Sequence, residues 1–272
     1  MHDGGGLIRD YADYLRACGH PVGTIEQYTG WPRRLLRDTA TPAADLTDAQ
    51  LVGWLASHDW APNTRRKAVQ GLRQFWAWMI ATGRCDHDPT TVLKTIRGAT
   101  PIPRPTPEDV YEQALGGLAG EDWWRLRLAA ETGLRRAELA AVHSDDVTRG
   151  TLGWMLWVDG KGRRQRHVPM PDDLALWVRS LDGWVWPSPL GGHMIPSAVG
   201  KRYRRMLGGR WTTHTLRHRY ATRAYAAHHD IEAVRTLLGH ESVRTTQIYI
   251  ATADRQLRTV AAAAWHPLGD AA

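Results

Sequence analysis

The segment LLGHESVRTTQIY, residues 237–249, is the most informative stretch of this chain. Its apolar start follows a helical pattern that ends at Gly239, a residue suited to the left-handed end of a helix. His240 comes next, and Tyr249 lies nine residues after it. The segment therefore combines a group that handles protons near neutral pH with a potential nucleophile. A single short motif arises easily by chance, so its meaning depends on the rest of the chain.

Three other clusters precede this segment: TGLRRAEL at 132–139, GKGRRQRHVPM at 160–170 and THTLRHRYAT at 213–222. In this order and at this spacing, the four motifs resemble the C-terminal catalytic domain of the tyrosine recombinase family. That family includes phage integrases and the bacterial chromosome-dimer resolvases. The resemblance spans residues 106–260, and the combination of four motifs makes coincidence improbable.

The arginines of two motifs suit a phosphodiester substrate. The transition state of phosphoryl transfer gathers negative charge on the non-bridging oxygens, so a catalyst needs fixed cations around one phosphate. Arginine offers two parallel hydrogen bonds and stays charged at any working pH. We expect Arg135 and Arg217, each in a motif that matches the family, to form this clamp.

The histidines and the tyrosine complete the expected catalytic set. His214 lies three residues before Arg217, on the same face of a predicted helix, and both His214 and His240 could donate to the phosphate. The resemblance also implies a role for His214 as a base. Tyr249 has an ordinary pKa of about 10, so nearby cations or a base must activate it as the nucleophile.

Two further roles come from the resemblance. The family draws the proton for the leaving 5′ oxygen from a lysine in a β-hairpin turn, a position that Lys161 matches. Glu138, three residues after Arg135, matches an acidic position and is expected to orient the cationic site as an accessory residue. The resemblance implies a 3′-phosphotyrosine intermediate and strand rejoining without ATP.

The fold class expected is mainly α with a small antiparallel sheet. Residues 7–93 show helical periodicity, whereas 152–170 alternate in the manner of a hairpin or three-stranded sheet. Prolines 101, 103, 105 and 107 favour an extended connector. We therefore predict a helical, SAM-like core-binding domain at 1–98, a linker at 99–106 and an α+β catalytic domain at 107–272.

Local signals refine this outline. Pro32 is expected to kink or interrupt the second helix, Thr47 to cap the third, and Asn63 to cap a fourth that ends at Gly83. Thr106 is expected to begin the first helix of the catalytic domain. Because the first helix begins near residue 7, the chain resembles the short two-domain recombinases without an arm-binding domain.

Charge favours a polyanionic partner. The formal net charge is +7 and the isoelectric point about 9.7, which suits duplex DNA, although a GC-rich genome also explains the arginine bias. Five cations are candidates for DNA binding: Arg65, Arg66, Lys67, Arg163 and Arg164. The first three equally suit a solvated helix end.

Other classes of protein are less favoured. The chain lacks an apolar run long enough to cross a membrane and a secretory signal, so a cytoplasmic protein is expected. Cys18 and Cys85 do not suggest a disulfide framework or a zinc site. We expect no metal and no cofactor, because arginines and histidines supply the positive charge that magnesium gives a two-metal nuclease.

Several biological roles remain open at this point. The main expectation is an integrase of a phage or mobile element that acts as a homotetramer on specific core sites, with a directionality factor as a further candidate partner. Alternatives are a chromosome-dimer resolvase, a catalytically silent DNA-binding accessory protein, and a type IB topoisomerase. Seven of the 14 tryptophans are interpreted as core or interdomain packing, with stacking on bases as the alternative: Trp123, Trp124, Trp154, Trp157, Trp184, Trp186 and Trp211. No functional role is assigned to any of the 14.

Overall fold

The computed structural model describes residues 4–96, 104–151, 153–160, 165–240 and 246. The chain folds as two compact units, Met1–Pro101 and Ile102–Ala272, called here the N-terminal and C-terminal units. The described residues are mostly helical and include one small antiparallel sheet, which confirms the predicted fold class. No helix in these ranges is long and apolar enough to span a membrane.

The described part of the N-terminal unit is helical. Its elements are α1 (Gly4–Ala17), α2 (Val22–Thr39), a 3₁₀ turn (Ala43–Asp45), α3 (Asp48–Ala56) and α4 (Pro62–Ala81). The predicted apolar face of α4 is buried, and it forms much of the core: Val69, Leu72, Phe75, Trp76 and Met79. At Gly71 a Cβ atom would lie 2.8 Å from Cδ1 of Trp31, so the absence of a side chain lets α4 approach this α2 residue closely.

Helix ends in this unit follow the sequence signals only in part. Thr47 caps α3 as predicted, in a capping box with Gln50. The predicted interruption at Pro32 is wrong: α2 runs through it, and Pro32 is buried, so packing compensates for the hydrogen bond that proline cannot donate. Asn63 is not a cap either. Pro62 occupies the first helical position, where its missing N–H costs nothing, and Ala61 precedes it.

The C-terminal unit combines helices with the sheet. Its elements are α5 (Glu108–Gly116), α6 (Gly120–Thr132), α7 (Arg136–Ala140), a 3₁₀ turn (Ser144–Asp146), β1 (Val147–Gly150), β2 (Gly153–Asp159), β3 (Gln165–Met170), α8 (Asp172–Ser180), α9 (Pro196–Met206), α10 (Thr213–His228) and α11 (Ile231–Leu238). Strand order is β1-β2-β3, with antiparallel neighbours. The first strand begins five residues before the predicted start at 152, because a four-residue strand with one buried side chain shows little alternation.

The sheet and the helices share one core. Leu156 on β2 pairs with Val147 on one side and Val168 on the other, and all three side chains are fully buried. Leu126 and Leu216, from α6 and α10, belong to the same cluster. This core supports the sheet and α10, the helix from which the candidate site residues His214 and Arg217 project.

Thr106 does not begin a helix as predicted. Pro107 precedes α5, and the acidic Glu108 and Asp109 lie in its first turn. Thr106 is buried and hydrogen-bonds instead to Thr215: its backbone N–H donates to the Thr215 carbonyl over 3.0 Å, and the two hydroxyls lie 2.8 Å apart. The beginning of the C-terminal unit is thereby attached to the first turn of α10.

Candidate active site

Helix α10 carries the most deeply buried of the predicted cations that the structure describes. Arg217 is only 2% exposed. Its Nη1 donates to the Gly133 carbonyl over 2.7 Å, and its Nη2 donates to the Leu238 carbonyl over 2.6 Å. Because two backbone acceptors fix the guanidinium plane, Arg217 is held in one orientation before any ligand binds.

Gly133 allows this arrangement. It ends α6 with a φ of 62°, and a Cβ atom there would lie 2.4 Å from Cδ1 of Tyr220. Both the left-handed backbone and the closeness of the ring therefore require glycine. The carbonyl that holds Arg217 lies at this turn.

Arg135 lies at the N-terminal end of α7. Its backbone N–H donates to the Glu138 carboxylate over 2.7 Å, and its Nη1 donates to the same carboxylate over 2.9 Å. Its Nη2 donates to the Gly239 carbonyl over 2.7 Å. About a third of the Arg135 side chain remains exposed, so this cation faces solvent while Arg217 does not.

Glu138 connects Arg135 to Arg166, an arginine that was not among the predicted site residues. Arg166 on β3 donates from Nη1 and Nη2 to the two carboxylate oxygens, each over 2.9 Å. Burial alone would raise the pKa of the Glu138 carboxyl, but Arg166 and then Arg135 more than offset it and lower that pKa to about 2. Glu138 is therefore ionised at neutral pH, and it accepts hydrogen bonds from both cations.

The C-terminal end of α11 provides a common anchor. Four consecutive backbone carbonyls, those of residues 237–240, each accept a hydrogen bond from a different arginine. We call them the α11 carbonyl row: Leu237 accepts from Arg166, Leu238 from Arg217, Gly239 from Arg135 and His240 from Arg235. The last carbonyls of a helix lack backbone donors within it and carry partial negative charge, so cations stabilise them. Arg135 and Arg217 are thus bound to adjacent residues of one helix end.

Gly239 closes this end in a conformation that favours glycine. Its φ is 64° and its ψ is 45°. A Cβ atom would lie 3.1 Å from Cδ and 3.2 Å from Nη1 of Arg166, closer than ordinary van der Waals contact. The turn therefore sets the position of the Arg166 side chain as well as the end of α11.

His214 and His218 lie one turn apart on α10. Their Nε2 atoms are 3.0 Å apart, so one ring donates its N–H to the other. Removal from water and then the charge of Arg217 lower the pKa of His214, while burial, His214 and Arg217 lower the pKa of His218 to about 3. His218 was not predicted as a site residue, although its spacing of four from His214 places it on the same helix face.

His240 follows α11 directly and is buried. Its Nδ1 forms a 2.9 Å hydrogen bond with the Thr246 hydroxyl. Burial, which is the largest cause, and then the positive charges of Arg217, Arg135 and Arg166 lower the pKa of His240 to about 3. A neutral His240 near three arginines can donate or accept one proton without adding charge of its own.

Several predicted residues lie elsewhere. Tyr249, Lys161, Arg163 and Arg164 fall outside the described residues. The cluster at 65–67 lies in the first turns of α4, in the N-terminal unit. There the Nη2 of Arg65 donates to the His58 carbonyl over 2.7 Å, while Arg66 and Lys67 are exposed.

The described residues of the C-terminal unit therefore assemble a rigid, positively charged centre. It contains Arg135, Arg166, Arg217 and neutral histidines, and its one buried carboxylate is bound to two of the arginines. Such a centre can bind a phosphate and stabilise charge that develops on it. Among the described residues, no group of three or more His, Cys, Asp or Glu side chains could hold a metal ion.

Comparison with known proteins identifies the family. Residues 105–256, more than half of the chain, match the phage integrase family. The chain belongs to this family. It is a tyrosine recombinase, as the four sequence motifs predicted.

Relatives among the tyrosine recombinases cover most of the chain. The tyrosine recombinase XerC of Azotobacter vinelandii is 32% identical over 205 residues, which are 67% of this chain and 67% of that protein. The XerC recombinase of Mycobacterium bovis is 29% identical over 293 aligned positions, covering 93% of this chain and 96% of that protein.

Solved structures of tyrosine recombinases share the fold. A lambda integrase dimer bound to a COC′ core site matches with a TM-score of 0.72 and 17% identity, covering 98% of this chain and 80% of that one. The XerH site-specific recombinase, in a post-cleavage complex with palindromic difH substrate, matches with a TM-score of 0.71 and 18% identity, covering 94% and 83%.

Proposed function

We propose that this tyrosine recombinase cleaves and rejoins duplex DNA at specific core sites through a 3′-phosphotyrosine intermediate formed by Tyr249. The observation that carries the proposal is the α11 carbonyl row, which holds Arg135 and Arg217 on adjacent carbonyls. Two arginines fixed next to each other suit the non-bridging oxygens of one phosphate.

The reaction proceeds by attack of the Tyr249 phenolate on phosphorus. The bond from tyrosine oxygen to phosphorus forms as the bond to the 5′ oxygen breaks, so the phosphodiester energy is kept in the protein–DNA bond. Arg135 and Arg217 bind the phosphate and offset the added charge. Rejoining reverses these steps, with a 5′ hydroxyl as the attacking group.

Three residues handle protons in this proposal. His214 accepts the tyrosine proton, for which its lowered pKa suits it, because the ring is neutral at physiological pH. His240 donates a hydrogen bond to the phosphate. Lys161 protonates the departing 5′ oxygen, a task that arginine performs poorly since it holds its protons too firmly.

The chemistry proposed is independent of metal ions. A metal would serve to neutralise the phosphate and to stabilise the transition state. Here arginine guanidinium groups, positioned by backbone carbonyls, supply that charge, and the 5′ oxygen takes its proton from a side chain.

DNA and further copies of the chain are the proposed partners. A solved lambda integrase structure is a tetramer on a Holliday junction, and we infer a homotetramer on two core sites for this chain, acting on the DNA of the host cytoplasm. Five cations, Arg65, Arg66, Lys67, Arg163 and Arg164, are proposed to contact DNA. A directionality factor could bias integration against excision.

Two biological roles fit this reaction. We favour integration and excision of a phage or mobile element. Chromosome-dimer resolution is the second candidate, and the similarity to XerC recombinases over two thirds or more of the chain favours it. The substrate that the protein cleaves distinguishes these roles.

A suicide-substrate assay tests the proposal. Nicked duplexes would carry either the DNA that flanks the element or the host's XerC recombination site, and adducts would be resolved by denaturing electrophoresis. We expect wild type and the control Tyr225→Phe to form a covalent adduct, and Tyr249→Phe to form none. An adduct that persists in Tyr249→Phe would identify another nucleophile. Specific binding without any adduct would favour the accessory-protein alternative, and relaxation of plasmids without a site would favour the topoisomerase alternative.

A further inference from the structure

We propose that Arg166 is a positioning residue for cleavage: it holds Glu138, and through Glu138 it sets the direction in which Arg135 presents its guanidinium to the phosphate. This inference rests on the proposed function. It adds a residue to the site that does not itself contact DNA.

The contacts of Arg166 support this role. Nε donates to the Leu237 carbonyl over 2.9 Å, and both Nη atoms donate to Glu138 over 2.9 Å. The Arg166 side chain is 10% exposed, and that of Glu138 is 4% exposed. Since three of the five arginine donors have protein acceptors and little of the side chain faces solvent, Arg166 is a poor candidate for direct contact with DNA.

Glu138 transmits the effect because it is shared. Its Oε1 accepts from Nη1 of Arg135 and from Nη1 of Arg166, both over 2.9 Å. The Arg135 guanidinium is therefore placed between a carboxylate and the Gly239 carbonyl. Without Arg166, the full charge of a buried carboxylate would act on Arg135, which is the remaining cation bonded to it among the described residues. Arg135 would be drawn towards Glu138, and its contact with the charge that develops on the phosphate during cleavage would weaken.

Arg166 also links the sheet to α11. Arg166 lies on β3, where its backbone pairs with Val158 of β2, and its side chain reaches the end of α11. The connection between β2 and β3 contains Lys161, the proposed proton donor. The Arg166 side chain thus links β3, the strand that follows this connection, to the end of α11, which holds Arg135 and Arg217.

The test compares cleavage with binding in Arg166→Gln. Single-turnover adduct formation on the nicked substrate at saturating protein would be measured beside the dissociation constant for the same DNA. We expect cleavage to slow by roughly ten- to hundred-fold, as for a displaced catalytic group, and the dissociation constant to change by less than about three-fold. Arg179→Gln, which removes an exposed arginine from the last turn of α8, is the matched control for lost charge.

A double variant separates positioning from simple structural support. If Arg166 acts by balancing Glu138, then Arg166→Gln/Glu138→Gln removes the unbalanced carboxylate and should cleave at least about three-fold faster than Arg166→Gln alone. If the two substitutions together slow cleavage by the product of their separate effects, the proposal would be overturned. Wild-type cleavage by Arg166→Gln, or a loss of DNA binding equal to the loss of cleavage, would overturn it too.

Folding and the proposed function are controlled separately. Circular dichroism and thermal melting would check each variant, and Arg166→Lys serves if the glutamine variant does not fold. Lysine keeps the charge but lacks the planar fork, so we expect a rate between those of wild type and glutamine. A rate in Arg166→Lys no faster than that of Arg166→Gln would show that positive charge at this position does not balance Glu138, and would overturn the proposal. Absence of an adduct with the wild type would instead contradict the proposed function.

Discussion

Substituting Gly239 by alanine tests whether the end of α11 sets the position of Arg166. Alanine in the left-handed region costs about 1–2 kcal/mol. Its Cβ would also press against Cδ and Nη1 of Arg166, at 3.1 and 3.2 Å. The guanidinium would have to move by a few tenths of an ångström, which lengthens its hydrogen bonds to Glu138 and Leu237 and costs about 1 kcal/mol more. We therefore expect Gly239→Ala to destabilise the C-terminal unit by about 2–3 kcal/mol.

Gly208→Ala provides the matched control. Gly208 follows α9 with a φ of 71°, and a Cβ atom there meets nothing within 4 Å, so this variant has the backbone strain alone. Each kcal/mol lowers the Tm of a unit of this size by about 2–4 °C. Calorimetry should show a larger fall for Gly239→Ala, and adduct formation should slow in that variant only. Equal Tm values and equal cleavage rates in the two variants would refute the reasoning.

Two other perturbations test the structure more broadly. The pKa values of His218 and His240 are lowered to about 3 in the folded protein, so unfolding takes up protons below about pH 6.5 and the free energy of unfolding decreases as the pH falls towards 3. Urea titrations should show a loss of up to about 2 kcal/mol per histidine between about pH 7 and pH 5. An unfolding midpoint that does not change with pH would contradict the burial of neutral rings. Thr47→Ala removes the α3 capping box and should destabilise the N-terminal unit by about 1 kcal/mol in the same assay. An unchanged midpoint there would mean that the cap contributes nothing.

Sequence patterns predicted the fold class and individual helices within each of the two units. The fold class, the buried face of α4 and the helix that carries His214 and Arg217 all followed from periodicity and end signals. Motif order predicted the family, which the match over 105–256 confirmed. The proximity of Arg135 to Glu138 also follows from their spacing of three residues.

The remaining features depend on tertiary contacts. Arg166 contacts a carbonyl 71 residues away in the chain, and no local pattern distinguishes it from the neighbouring arginines 163 and 164. Thr106 has the sequence context of a helix cap, but its hydrogen bonds go to Thr215, 109 residues away. Pro32 is a helix breaker by propensity, and burial keeps its helix continuous. For Arg166 and Thr106 a distant partner decides the outcome, and for Pro32 burial within the folded unit does.

The α11 carbonyl row has a consequence for how this site can change during evolution. Its acceptors are main-chain atoms, so point mutations at 237, 238 or 240 replace side chains without deleting a single anchor. Insertion or deletion of one residue within α11 is a different event: it turns the helix end by about 100° and shifts it by about 1.5 Å, which misaligns all four arginine pairings together. The four anchors themselves are thus far less sensitive to side-chain substitutions at 237, 238 and 240 than to any change in the length of α11.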